Sequence, residues 1–496
     1  MINVLAETLR ARRFCYVAEL VASGQKTEAQ VLDTASNIGR VPGIAALSVT
    51  NYAGGRAGHD PVRIAEGLQT RDIAANVHVT CVGQDRRALA KTIRELAGRE
   101  LFNVFALTGD WPKEAGATPV FDIDSVQLTH MMSEMRGRHG TPFHISVAVS
   151  PFKYQREDCL YQYLKLEKKI AAGADFAITQ VGWDALKFAE LKQYLDEHGL
   201  TTPIVGNVYA LSLRTAERMA GGSPPGCWAS PELVEQIRRE AQAPDGGVGA
   251  RLERAAKTAA ILKGLGYAGA YLGGTHDVQH LAYIIRRGEE LAPRWQEFLA
   301  ELQFGKKDGF YLSGERPKPR PTLIPLVLDT MGRTLPVPWS KGETHTWARR
   351  RLQALFTWID RHPILSKAFE RFEYYGKRAV FGCQNCGNCV LGHMEYVCPQ
   401  TCPKQMRNGP CGGTHFGRCE VIDQECIWVR VMDRAEATDR IPDLKTYIPP
   451  PDRALQGTSS WLNFYLERDS RPGRPKGDIE GAEPPAVARE QPHTAA

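Results

Sequence analysis

Eight of the twelve cysteines fall between Cys383 and Cys426. Their pattern is Cys383-x2-Cys386-x2-Cys389-x8-Cys398-x3-Cys402-x8-Cys411-x7-Cys419-x6-Cys426, with Pro399 and Pro403 directly after two of them. Eight thiolates can supply two four-ligand metal sites. The CxxCxxC run followed by Cys-Pro fits iron–sulfur ligation. The overlapping CxxC pairs, with glycines at 409, 412 and 413, fit zinc knuckles equally well. Spacing neither groups the ligands nor separates the two metals. Free or disulfide-bonded cysteines are the alternative without metal. The N-terminus shows no charged leader with a long apolar run behind it, and no apolar stretch is long enough to span a bilayer. A cytoplasmic chain is therefore expected, and clustered thiols there favour metal over disulfides. Cys15, Cys81, Cys159 and Cys227 are scattered through the first half.

A second set of polar residues stands where apolar runs end. Glu19 closes the first, Ser48, Thr50 and Asn51 the second, and His78 and Thr80 lie in the third. Thr108-Gly109-Asp110 ends the fourth, Thr179-Gln180 the sixth, and Asn207 and Tyr209 lie in the seventh. Gly273-Gly274-Thr275-His276-Asp277 follows the eighth. Two carboxylates, a histidine and a glutamine on one face make an acid–base site around a bound ligand. Each has a plainer reading alone: Glu19 as an ion-pair residue, Gly109-Asp110 as a turn, His78 as a core histidine, Gln180 as a helix cap. Only their conjunction points to function.

The elements that must position them are legible. Eight apolar runs are expected as buried strands: Phe14–Ala18, Ala45–Thr50, Val77–Val82, Val104–Leu107, Ile145–Val149, Phe176–Thr179, Ile204–Tyr209 and Tyr267–Leu272. Helix-period stretches lie between them, several followed by a glycine suited to a C-cap (Gly98, Gly173, Gly199, Gly266). Eight βα steps give an α/β fold, a (β/α)₈ TIM barrel whose chemistry sits at the C-terminal strand ends. The long seventh step predicts an extra helix or flap. An open doubly wound sheet is the competing fold, but no GxGxxG follows the first strand. Short helices are expected at Thr346–Ile359 and Ile364–Tyr374, and Trp461–Leu466 is an apolar patch able to dock back. The 496 residues are 43% hydrophobic and 24% charged with net charge +6. That suits a globular chain with an anionic ligand and gives no reason to invoke nucleic acid or a membrane.

The residues also resemble a known family. AEL at 18–20, LSVTNYAG at 47–54, NVHVTC at 76–81, ALTGDWP at 106–112, SVAVSP at 146–151 and KKIAAGADFAITQ at 168–180 are similar, in order and spacing, to methylenetetrahydrofolate reductase. The resemblance implies a flavin-dependent barrel that interconverts 5,10-methylene- and 5-methyl-tetrahydrofolate by hydride transfer at flavin N5. It matches Glu19 to the general acid, Asp110 to a carboxylate beside flavin and folate, and Gln180 to a pterin contact. It matches Thr50, His78, Leu107, Gly109, Asp110 and Lys169 to positions that hold FAD. The chain departs from the pattern at Leu20–Ser23, Ser150, Gln162, Leu213 and in the Gly273–Gln279 loop, which bears on the nicotinamide-binding face.

The stretches at 382–413 and 417–428 resemble the cysteine-rich C-terminal module found with these reductases. That module is linked to electron delivery from ferredoxin or a partner complex. The expected organisation is a flavin- and folate-binding barrel at 1–304, a linker with short helices at 305–375, a small cysteine-rich metal-binding domain at 376–469 and a disordered tail at 470–496. Expected partners are tetrahydrofolate substrate, NAD(P)H or ferredoxin or another electron-transfer protein, and further copies of the chain in a homo-oligomer. Two other functions compete: a folate-dependent methyltransferase using thiolate-bound zinc, and a non-catalytic electron-transfer subunit.

Overall fold

In the computed structural model, which describes residues 3–51, 53–113, 119–314 and 346–472, the apolar runs become eight parallel strands. They are β1 Cys15–Leu20, β2 Ile44–Val49, β3 Ala75–Thr80, β4 Asn103–Leu107, β5 His144–Val149, β6 Phe176–Thr179, β7 Ile204–Tyr209 and β8 Gly269–Gly273. They pair in chain order, and β1 closes on β8. The helices are α1 Val4–Arg10, α2 Glu28–Gly39, α3 Pro61–Gln69, α4 Arg86–Gly98, α5 Ser125–His139, α6 Arg156–Ala171, α7 Ala185–Glu197, α8 Leu213–Ala220, α9 Pro231–Glu240, α10 Val248–Gly264, α11 Val278–Leu291 and α12 Gln296–Leu299. The expected TIM barrel is present.

Strand alternation sorts the side chains. Cys15, Val17, Ala46, Phe105, Phe176, Ile178, Val205 and Tyr271 fill the barrel interior, where Leu5 and Leu9 of α1 join them. Their neighbours Tyr16, Ala18, Leu47, Val77 and Val79 face outward onto the helices. Several helices start at side-chain caps. Thr27 and Gln30 form a capping box on α2, and Asp124 and Gln127 do the same on α5. Gly173, Gly199 and Gly266 take the left-handed conformation expected after a helix. Gly98 does not. It is the last residue of α4, and Glu100 makes the left-handed turn at φ 57°.

The long seventh step carries the extra helices α8 and α9, whose apolar faces close over Trp183 and Cys227. The stretch expected as linker from 305 begins as a docked strap. Tyr311 donates to Asp184 at 2.7 Å, and the Leu312 amide donates to Glu190 at 2.6 Å. Lys187, fully buried, pairs with Glu190 at 2.8 Å beneath it.

Among the described residues four α-helices follow: α13 Thr346–Asp360, α14 Pro363–Phe381, α15 Ile427–Ala437 and α16 Ser460–Tyr465. The patch at 461–466 docks as expected, Tyr465 stacking on Phe356 with ring centroids 4.6 Å apart. The cysteine module shares its apolar core with the barrel: Tyr161 and Leu164 of α6 pack with Met406, Trp428, Val431 and Met432. The apolar run Leu323–Leu328 and the tail from 473 onward lie outside the described residues. Among the described residues no helix is long and apolar enough to cross a membrane.

Candidate active site at the barrel mouth

Glu19 lies at the C-terminal end of β1. A Cβ on Gly273 of β8 would stand 3.2 Å from its Oε2, so the bare glycine leaves the carboxyl its room. Desolvation pushes this carboxyl up to about 7, the range in which a general acid can work near neutral pH. His276 hydrogen-bonds the Glu19 backbone, and burial holds its ring below the ordinary histidine range. Tyr271, deep in the barrel, hydrogen-bonds Ser48 and lies within electrostatic reach of Glu19.

Asp110 enters from the loop after β4. The turn before it needs glycine: Gly109 has φ 89°, and a Cβ there would meet Val82 at 2.5 Å. The Gly54 amide, in the loop after β2, donates to the Asp110 carboxylate. Lys113 donates its amide to the Gly55 carbonyl at 3.0 Å, so the two loops are strapped together. Burial raises the Asp110 carboxyl above its ordinary range, while Lys404 and Lys113 pull it back.

The positions matched to a flavin lie on or just after β2, β3 and β4, with Lys169 on α6. Thr50 Oγ1 accepts from the Ala22 amide at 3.2 Å. His78 Nε2 stands 2.9 Å from Ser48 Oγ and edge-on to Phe105, with ring centroids 4.8 Å apart. Burial depresses the His78 ring to about 3, so it is neutral at physiological pH. Lys169 Nζ donates to the Ala148 carbonyl at 2.6 Å, and burial holds it well below the ordinary lysine range. Leu107 and Gly109 are half-buried at the same rim. Ser150 Oγ, Gln162 Nε2 and Asn207 Oδ1 are buried with no hydrogen-bond partner. Buried polar groups are seldom left so, and a polar ligand would satisfy them. Gln180 sits at the end of β6, its amide nitrogen donating to Val149 O at 2.7 Å and its side-chain oxygen accepting from Val181.

The cysteine module roofs this mouth. Lys153 donates to the carbonyls of Gly412 and Thr414 at 2.8 and 2.6 Å. Phe416 packs on Trp228, and a Cβ on Gly226 would meet Gly412 O at 2.6 Å. Lys404 reaches the Gly109 carbonyl at 2.8 Å and pairs with Glu420 at 2.5 Å.

Within the module the cysteines fall into two groups of four. Cys383, Cys386, Cys389 and Cys398 line one cavity beside Lys377 and Phe381. Cys402, Cys411 and Cys426 lie within electrostatic reach of one another, and Cys419 within that of Cys402. All twelve cysteines are free of disulfides. Among the described residues no group of three or more Cys, His, Asp or Glu side chains has the geometry to hold a metal ion.

Residues 5–242 match the family described as methylenetetrahydrofolate reductase, and residues 362–454 match the description "Methylene-tetrahydrofolate reductase C terminal". The chain belongs to the methylenetetrahydrofolate reductase family. Relatives include a "Probable methylenetetrahydrofolate reductase (NADPH)" of Caenorhabditis elegans, 26% identical over 162 residues, covering 30% of this chain and 24% of that protein. The 5,10-methylenetetrahydrofolate reductase of Salmonella typhimurium is 25% identical over 151 residues, covering 30% of this chain and 48% of that one. The chain thus spans less than half the length of these relatives. Among solved structures, a Clostridium thermocellum protein that binds two copies of 5-methyl-5,6,7,8-tetrahydrofolic acid aligns with TM-score 0.42 and 11% identity, covering 58% of this chain and 99% of that one.

Sequence reasoning missed Tyr271, Lys153, Lys404 and Glu420. Alternation on β8 would have found Tyr271, two residues before Gly273 on the same face. Lys153 and Lys404 have no local signal, because each meets its carbonyl acceptor only across the interface between barrel and module, and Glu420 is brought to Lys404 only by the folding of the module. Asp277, flagged after β8, instead caps α11 by accepting from the amides of Gln279 and His280.

Proposed function

We propose that this member of the methylenetetrahydrofolate reductase family interconverts 5,10-methylene- and 5-methyl-tetrahydrofolate. The observation that carries the reading is Glu19, a desolvated carboxyl at the mouth of a family barrel, held to about 7. Reduction of the methylene carbon takes two electrons and two protons. One proton must reach folate N10 as the five-membered ring opens. Glu19, still substantially protonated near neutral pH and placed at the mouth, is the group to give it. Ring opening leaves an iminium cation, which a fixed carboxylate stabilises. Asp110, anchored by Gly54 and the Gly109 turn, supplies that charge. Gln180 would hold the pterin. The roof formed by the module keeps water from the reacting atoms.

Thr50, His78, Leu107, Gly109, Asp110 and Lys169 would hold FAD. The unpartnered Ser150, Gln162 and Asn207 atoms fit a polar cofactor in this region. Bound there, the flavin would supply a hydride donor and acceptor at N5. By ligand type, the four thiols around the module cavity would suit zinc or an iron–sulfur cluster, as would the second group of four. NAD(P)H, ferredoxin or a partner electron-transfer protein would provide reducing equivalents.

A visible spectrum of the purified protein tests the reading. A yellow flavin bleached anaerobically by methyltetrahydrofolate supports it, and a protein with no flavin absorbance defeats it. Broad absorbance that survives flavin removal identifies iron–sulfur, whereas zinc is silent.

A further inference from the structure

We propose that Lys404, carried by the cysteine module, is a positioning residue of the barrel site, fixing the Gly109–Asp110 turn from above. The inference rests on the functional reading only for what Asp110 does, not for where Lys404 stands.

Three observations converge. The Lys404 side chain is 3% exposed, yet its ammonium leaves its own module and donates to the Gly109 carbonyl at 2.8 Å. It also lies over the Phe121 ring, 5.4 Å from the centroid, and Phe121 stacks on Trp111 at 5.9 Å. The chain is therefore pinned on both sides of Asp110, at Gly109 directly and at Trp111 through Phe121. Finally, the buried partner Glu420 leaves Oε2 without a hydrogen bond. A buried ion pair gives little stability compared with apolar packing of the same volume. A charged pair kept at this cost beside the site carboxylate fits a role in the site better than one in folding.

The groups facing Asp110 are Lys404 and Glu420 of the module, Lys113 of its own loop, the Cys227 thiol of the β7–β8 segment and the Gly54 amide. The two lysines and the amide favour the carboxylate, and Glu420 opposes it. Removing the cation should therefore move Asp110 ionisation to higher pH, and neutralising Glu420 should move it to lower pH.

The test uses the full-length protein and the variants Lys404→Met, Lys404→Arg and Glu420→Gln. Flavin reduction by methyltetrahydrofolate is followed by stopped flow from pH 5 to 9, and amide hydrogen exchange is measured over residues 106–113 without ligand. Lys404→Met is expected to lower the limiting rate at least tenfold, with folate affinity changed less than threefold, and to move the Asp110 limb, distinct from the Glu19 limb near 7, up in pH. Lys404→Arg should restore most of the rate, and Glu420→Gln should move the limb the other way. Exchange over 106–113 should rise in Lys404→Met. Unchanged exchange and an unmoved limb overturn the proposal, as does a rate loss matched by loss of folded protein. Should Lys404→Met fail to fold, the opposite limb shift in Glu420→Gln decides. A wild-type protein without folate-linked flavin reduction defeats the functional reading instead, and the exchange comparison still judges Lys404.

Discussion

At the residue scale, Glu19 ties chemistry to stability. Its carboxyl is pushed up to about 7 from a model-compound value of 4.5. As general acid it must be protonated, so reduction of methylenetetrahydrofolate should fall as pH rises through about 7, while oxidation of methyltetrahydrofolate should rise. Folding carries the same sign. A carboxyl raised in the native state contributes stability that is complete below the unfolded value and lost as pH climbs through the folded one. Glu19→Gln should abolish folate turnover and retain flavin. It should also raise the melting temperature relative to wild type at pH 8, by on the order of 2 kcal/mol in stability, with no gain at pH 4. Wild-type turnover in Glu19→Gln, or a gain independent of pH, would remove the general-acid assignment. Glu19, Asp110 and Gln180 could be named from sequence because each directly follows an apolar run, and strand ends are where a barrel keeps its chemistry. Which residues would touch them could not be told, since Tyr271, His276 and Gly54 come from other steps of the fold.

At the element scale, Asp124 joins two jobs. One carboxylate oxygen caps α5 through the amides of Val126 and Gln127. The other accepts from the amides of Arg407 and Asn408 and from the Asn408 side chain. A lost N-cap costs about 1 kcal/mol, and each buried amide left without a partner about 1–3 kcal/mol more. Asp124→Ala should therefore destabilise the chain by about 3 kcal/mol or more in denaturant titration. Limited proteolysis should then release the module before the barrel. Cleavage that begins in the barrel would show that the docking does not depend on this residue. The cap is a local matter, since Asp124 and Gln127 lie within one turn of each other. The sequence gave no sign of the second role, which joins residues nearly three hundred positions apart.

At the scale of the whole molecule, the cysteine module is part of the site rather than an appendage. It lends Lys404 to the mouth, accepts Lys153 from the β5 side and packs Phe416 on Trp228. The two groups of four thiols give a prediction by metal analysis. If each group of four holds a centre, as proposed, Cys386→Ser should remove one and Cys419→Ser the other, each variant retaining its partner centre. If either change strips both centres, or neither, the grouping is wrong.

By itself the sequence determined the periodicities and the inventory of groups. Eight apolar runs separated by helix-period stretches bury themselves as a parallel sheet wrapped by helices, and the missing GxGxxG after the first run favours the closed form over the open one. Polar residues at the run ends must then collect at one rim, because every parallel strand ends on the same side. The cysteine count marked a second functional region. Tertiary structure alone decided which thiols face one another, that the strap at 305–312 docks on the barrel, and that the module closes over the mouth. Those outcomes depend on side chains far apart in sequence meeting across an interface. No local spacing encodes where a buried lysine such as Lys404 will find its acceptor.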